Sequence, residues 1–114
     1  MANIEQKIKA PILKLRKNFD TPRKDFARLL GISERSLAGL EQGKKPTPPM
    51  QRKIRELIRL YEALVKVVHA DFVSGWLQEP NTAFNNLKPL EVVERGETDR
   101  IWKMIYYLES GIAS

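Results

Sequence analysis

Apolar residues recur at intervals of three and four along most of this chain, the spacing that places them on one face of a helix. Ile4, Ile8, Ile12 and Leu15 predict an amphipathic helix over residues 4–17, with Lys7, Lys9, Lys14, Arg16 and Lys17 on its other faces and Pro11 as a kink or a delayed start. Thr21-Pro22 reads as an N-cap followed by proline at the first helical position. Phe26, Ala27, Leu29 and Leu30 then supply an apolar face that ends at Gly31. Ser33 caps a third short helix, with Leu37 and Leu40 inward, which is exhausted at Gly43. Pro46-Thr47-Pro48-Pro49 reads as an extended linker. From Met50, the residues Ile54, Leu57, Ile58, Tyr61, Leu64, Val65 and Val68 predict one long helix. Shorter helices follow around residues 71–78 and 89–93. A last one is capped by Thr98 and carries Ile101, Met104, Ile105 and Leu108 before Gly111. No segment alternates as a strand does, so the expected fold class is all-α.

Charge divides the chain more sharply than its net +6 suggests. Residues 1–55 hold 14 Lys and Arg against 5 Asp and Glu, while residues 56–114 hold 6 against 9. The first half is therefore +9 and the second −3. A compact basic half suits a polyanion, because each phosphate neutralised by Lys or Arg releases counterions. A length of 114 residues leaves little room for a deep private cleft, and no nucleophile motif, carboxylate pair or glycine-rich phosphate loop stands in a credible context. No catalytic residue and no cofactor is expected. Without cysteine, and with His69 as the lone histidine, the chain lacks the ligands for a metal site; His69 reads as structural, at the end of the long helix. No membrane is expected as a partner, since no stretch nears the roughly 18 uninterrupted apolar residues of a span, and a cytoplasmic location follows.

Residues 21–46 concentrate the chemistry. Two short helices joined at Gly31-Ile32-Ser33 satisfy the demands of a helix-turn-helix: a small residue, Ala27, where the helices cross, and a glycine in the turn. Packing of Leu37 and Leu40 against Phe26 and Leu30 leaves the opposite face of the second helix for a DNA major groove. The run Arg16, Phe19, Arg23-Lys24-Asp25-Phe26-Ala27-Arg28-Leu29-Leu30-Gly31-Ile32-Ser33, Leu37 and Leu40-Glu41-Gln42-Gly43-Lys44-Lys45-Pro46 resembles the Xre/phage-repressor helix-turn-helix proteins. That resemblance implies an interior ion pair between Arg16 and Glu41. It implies phosphate contacts from Arg23, Lys24, Lys44 and Lys45, and base reading by Glu34, Arg35, Ser36 and Gly39. Glu34 and Gly39 depart from the family pattern. An acid at position 34 must accept from a cytosine amino group or be held away from DNA by Arg35, and Gly39 weakens its helix by about 1 kcal/mol.

In the second half, Trp76-Leu77, Pro80-Asn81, Phe84, Leu87, Pro89-Leu90-Glu91-Val92-Val93 and Gly96-Glu97 resemble the C-terminal domain of Xre-family antitoxins of the MbcA/ParS type. The resemblance implies a protein partner, a RES-class toxin that degrades NAD, met by Trp102, Tyr106, Glu109 and Ser110. The residues themselves say that Trp102, Tyr106 and Tyr107 cannot all join the inward stripe of the last helix, which leaves aromatic surface for a partner. Trp76 and Phe84 read as core, and Asn81 as a cap or turn former. The expected architecture is an N-terminal helix-turn-helix bundle (1–48), a connecting helix (49–69) and a small helical C-terminal domain (70–114) for toxin binding and dimerisation. A homodimer on a palindromic operator in double-stranded DNA would give the specificity one short helix lacks. The expected function is antitoxin and autorepressor, and a dimeric Xre-family repressor without a toxin partner is the alternative.

Overall fold

The computed structural model describes residues 4–111, with side chains from Ile12 onward, so Ile4, Ile8 and Pro11 lie outside the described side chains. Among the described residues the fold is all helical, apart from an isolated antiparallel bridge between Asn81 and Leu87. The chain divides into two compact units, Met1–Ile58 and Arg59–Ser114.

In the first unit, α1 (Ile4–Phe19) runs through Pro11 and packs on α2 (Arg23–Leu30) and α3 (Glu34–Glu41). Ile12, Leu15, Phe19, Phe26, Ala27, Leu30, Leu37 and Leu40 are all buried, and the Phe19 and Phe26 rings lie 6.2 Å apart. A fully buried side chain of this size contributes about 1.5–3 kcal/mol. This three-helix core therefore holds α2 and α3 against each other. Gly31 closes α2 in the left-handed region at φ 70°, where its N–H bonds back to Arg28 O, and Ile32 N–H reaches Ala27 O. Ser33 then starts α3, its hydroxyl accepting the Ser36 N–H at 3.0 Å as expected.

Several local expectations need correction. Thr21 does not cap α2: the helix begins one residue later than the spacing implies, Pro22 takes the N-cap position in extended conformation, and no side chain accepts there. Thr21 Oγ1 is instead buried without a partner among the described residues. Pro48 and Pro49 are not linker but the first two residues of α4 (Pro48–Leu64). Helix N-termini leave their first N–H groups unbonded, so proline loses nothing there. The helix also stops early, at Leu64; Lys66 and Val67 bond back only three residues, which tightens the chain into turns before it reaches Val68. Its buried stripe is Ile54, Leu57, Leu60 and Leu64, with Ile58, Tyr61 and Val65 half-buried. Ile54 and Leu57 belong to the first unit, Leu60 and Leu64 to the second.

The second unit continues through a 3-10 turn at Ala70–Phe72, α5 (Val73–Gln78), a second 3-10 turn at Thr82–Phe84, α6 (Pro89–Glu94) and α7 (Thr98–Ser110). His69 does not close the long helix. It opens the first 3-10 turn, where Nδ1 accepts the Asp71 N–H at 3.2 Å. Asn81 caps the second turn, accepting the Ala83 N–H at 2.9 Å. Asn85 and Asn86 follow, both left-handed at φ 57° and 67°, and turn the chain so that the Asn81 N–H reaches Leu87 O. This sharp reversal keeps Phe84 buried, with Trp76 half-buried and edge-on to it at 6.3 Å. Glu91 accepts the Lys88 N–H at 2.9 Å and fixes the entry to α6. In α7 the N-cap is Glu97 rather than Thr98, and only Ile101 and Ile105 are buried. Leu108 is 49% exposed, so the inward stripe is narrower than its apolar residues suggest.

Candidate nucleic-acid interface

Glu41 anchors the base of the interface. Its carboxylate is 4% exposed, and Oε1 accepts from Arg16 Nη1 at 3.1 Å and from Arg23 Nε at 3.0 Å. The expected Arg16–Glu41 pair is present, with a second arginine added. Because Arg23 gives Glu41 only its Nε, and its side chain is 48% exposed, the two terminal nitrogens of its guanidinium remain able to meet a phosphate. The pair thus orients an exposed cation while its acid stays buried. Glu41 Oε2 has no partner among the described residues.

The outer surface of α3 follows from its inner one. Leu37, Leu40 and Glu41 face the core, which directs Arg35 outward and leaves Gly39 and Ser36 half-buried at its side. Gln42, two turns after Arg35, lies exposed on the same face. Ser33 Oγ donates to Ser36 Oγ at 2.9 Å, so the Ser36 hydroxyl keeps its own proton for an acceptor on a ligand. Glu34 and Arg35 are both exposed and make no ion pair with each other, as expected of successive helical residues, which do not face one another. The expectation that Arg35 holds Glu34 back is not met. Glu34 instead sits in the first turn of α3, where an acid is favoured by the helix dipole.

Lys24, Lys44 and Lys45 are exposed at the two ends of the helix pair, with no ion-pair partner among the described residues. Lys44 is placed by Gly39: its backbone N–H bonds to Gly39 O at 2.9 Å, and a Cβ on Gly39 would come within 3.3 Å of Lys44 Cδ. Gly39 therefore offers space for the lysine stem instead of a side chain for a base. On α4, Lys53 approaches the turn, its Nζ 3.5 Å from Gly31 O. Exposed cations thus come from α2, from the segment after α3 and from α4, beside an exposed arginine and glutamine on α3 and its cap, and within α3 no exposed acid but Glu34 is present.

In the second unit, α7 turns Trp102, Tyr106, Glu109 and Ser110 to solvent, and Tyr106 is 63% exposed. Tyr107 touches Tyr106 edge-on at 5.8 Å, and Ser110 Oγ donates to Tyr107 O. The four residues expected to meet a protein partner are thus all at the surface, with Trp102, Tyr106 and Glu109 spaced at four and three along one ridge.

Residues 12–62 match the helix-turn-helix family. The chain carries an Xre-type helix-turn-helix domain. No curated protein matches the sequence. Over its whole length the fold is similar to that of a chain in the crystal structure of the M.tuberculosis MbcT-MbcA toxin-antitoxin complex, with a TM-score of 0.75 and 21% identity, covering 97% of this chain and 98% of that one. Both units, and not the helix-turn-helix domain alone, share that fold.

One feature of the helix-turn-helix domain escapes the sequence pattern. The bond from Arg23 to Glu41 joins residues 18 positions apart, and nothing local announces it. Gln42, by contrast, was accessible from the helical repeat, seven residues after Arg35.

Proposed function

We propose that this protein is the antitoxin of a toxin-antitoxin pair: the helix-turn-helix domain binds operator DNA and represses the operon, and the second unit binds and silences the toxin. The observation that carries the reading is the likeness, along the whole chain, to a chain of a toxin-antitoxin complex. A DNA-binding domain alone would account only for the first unit. The charge division supports it as well, since the basic half suits phosphate and the −3 half does not. Arg35, Gln42 and Ser36 read bases, joined by Glu34 where the site presents a cytosine amino group. Arg23, Lys24, Lys44 and Lys45 grip phosphates. The α7 ridge of Trp102, Tyr106, Glu109 and Ser110 meets the toxin, a RES-class enzyme that degrades NAD. Two chains pair on a palindromic site, because one recognition helix covers too few base pairs for useful specificity. The protein acts on DNA in the cytoplasm and supplies no catalysis of its own.

Co-expression with the protein encoded beside it, followed by purification through a tag on one partner and an NAD-consumption assay, tests the reading. The expected result is a stable complex that consumes no NAD, with a partner that is toxic and consumes NAD when expressed alone. A neighbour that neither binds nor harms cells overturns the antitoxin half and leaves a dimeric repressor.

A further inference from the structure

On the side of α7 away from the Trp102 ridge lies a groove of about 350 Å³, between this helix and the Thr82–Phe84 turn. Phe84, Met104 and Leu108 supply its apolar lining, and Arg100, Lys103 and Tyr107 its polar one. The two cations differ. Arg100 is held in place: its Nη1 bonds Glu97 Oε1 at 2.9 Å and its guanidinium lies 5.9 Å from the Phe84 ring centroid. Lys103 is exposed and has no partner among the described residues, although Asp99 precedes it by one turn. An apolar slot with one committed and one uncommitted cation fits a ligand that brings both a hydrocarbon side chain and a carboxylate.

Charge decides among the occupants. A second copy packed groove to groove about a twofold axis would bring two Lys103 and two Arg100 side chains together, which is repulsive. A nucleic acid needs a row of cations along its backbone, and here Glu97 already neutralises one of two. An acidic peptide segment meets neither objection.

We propose that this groove docks an acidic segment of the protein partner, seating one or two apolar side chains on Phe84, Met104 and Leu108 and a carboxylate on Lys103. The proposal rests on the reading of this unit as the partner-binding half and adds a surface on the opposite side of α7 from the aromatic ridge. The partner then holds α7 from both sides, and the interaction weakens with salt through Lys103.

The test uses the full chain with methionine methyl groups labelled for NMR, titrated with a blocked peptide of alternating leucine and glutamate, and separately with its leucine–lysine counterpart. The expected result is a saturable shift of the Met104 methyl with the acidic peptide alone, at a Kd of about 1 mM or tighter, while Met50 does not move. Lys103→Glu weakens binding about tenfold or more and Lys103→Arg retains it, as a charge contact there requires. A Met104 signal that stays still, moves equally with the lysine peptide, or moves with protein concentration alone overturns the proposal, the last pointing to a second copy. Failure here together with a stable complex with the neighbouring protein removes the groove and spares the antitoxin reading; peptide binding without such a complex does the reverse.

Discussion

Replacing Glu41 with glutamine separates the charge of the interior carboxylate from its shape. In the native chain one buried oxygen accepts from two arginines, at 3.0 and 3.1 Å. Hydrogen bonds to charged groups contribute about 1.5–3 kcal/mol each when buried. The Arg16 and Arg23 side chains are 30% and 48% exposed, so both recover hydration when the charge is lost, and the amide oxygen keeps a weaker contact. The expected loss is about 2 kcal/mol, well under the sum of two buried bonds. Because both arginines share one oxygen, removing either lets the other take up the vacant acceptor. Arg16→Gln and Arg23→Gln singly should then cost less than half of the double variant, a positive coupling that a double-mutant cycle measures. Urea denaturation followed by circular dichroism gives the free energies. In a thermal scan, 2 kcal/mol lowers Tm by about 8 °C if all 114 residues melt together, and by about twice that if the first unit of 58 melts alone. A Glu41→Gln protein within about 0.5 kcal/mol of the parent, or additive arginine losses, would refute the shared-acceptor account.

Gly31→Ala forces a side chain into the left-handed region at φ 70° and to 3.0 Å from Lys53 Nζ, and should cost about 1 kcal/mol in the same denaturation assay. Asn85→Gly and Asn86→Gly relieve two successive left-handed residues and should each stabilise by roughly 0.5 kcal/mol, with the far-ultraviolet spectrum unchanged. In gel shifts over a range of salt on operator DNA, Lys44→Gln and Lys45→Gln should each reduce the slope of log affinity against log salt by about 0.9 without altering sequence preference. Arg35→Ala should instead cost about 1–3 kcal/mol on the preferred sequence and relax its specificity; equal losses on all sequences would reassign it to the backbone.

The helix pair and its turn were legible because local rules coincide there. Gly31 supplies the left-handed turn, Ser33 the cap, and Phe26, Leu30, Leu37 and Leu40 the three-and-four spacing, so each rule points to the same geometry. Where one rule served two meanings, the pattern misled. Prolines mark both linkers and helix starts, and at Pro48 and Pro49 the second applied. Isoleucine and valine at helical spacing announce a stripe without fixing its centre, and in α4 the buried stripe centres on Leu57 and Leu64 and takes in Leu60, with Ile58 and Val65 at the margin. The ends of α4 and the place of His69 rest on local bonds, Lys66 and Val67 reaching back three residues and His69 Nδ1 accepting the Asp71 N–H, which apolar spacing does not register. The Arg16–Glu41 pair came from family resemblance, whereas Arg23 joined it through the fold alone. Of the surface of α7, the aromatic excess was visible from counting, but the groove on its other side needed Ala83 and Phe84 from a separate turn to complete its lining.

The division of one helical stripe between two cores bears on how such proteins are recombined. Ile54 and Leu57 are buried in one unit, Leu60 and Leu64 in the next, along a single unbroken helix. A swap of second units between relatives preserves both cores when the join falls between Leu57 and Leu60, because each pair then stays with its own unit. One residue inserted within either pair, between Ile54 and Leu57 or between Leu60 and Leu64, turns one member by about 100° away from its own core, and burial is lost there. Heredity can therefore trade these units as modules at that seam, while a change of helix length is felt inside a unit.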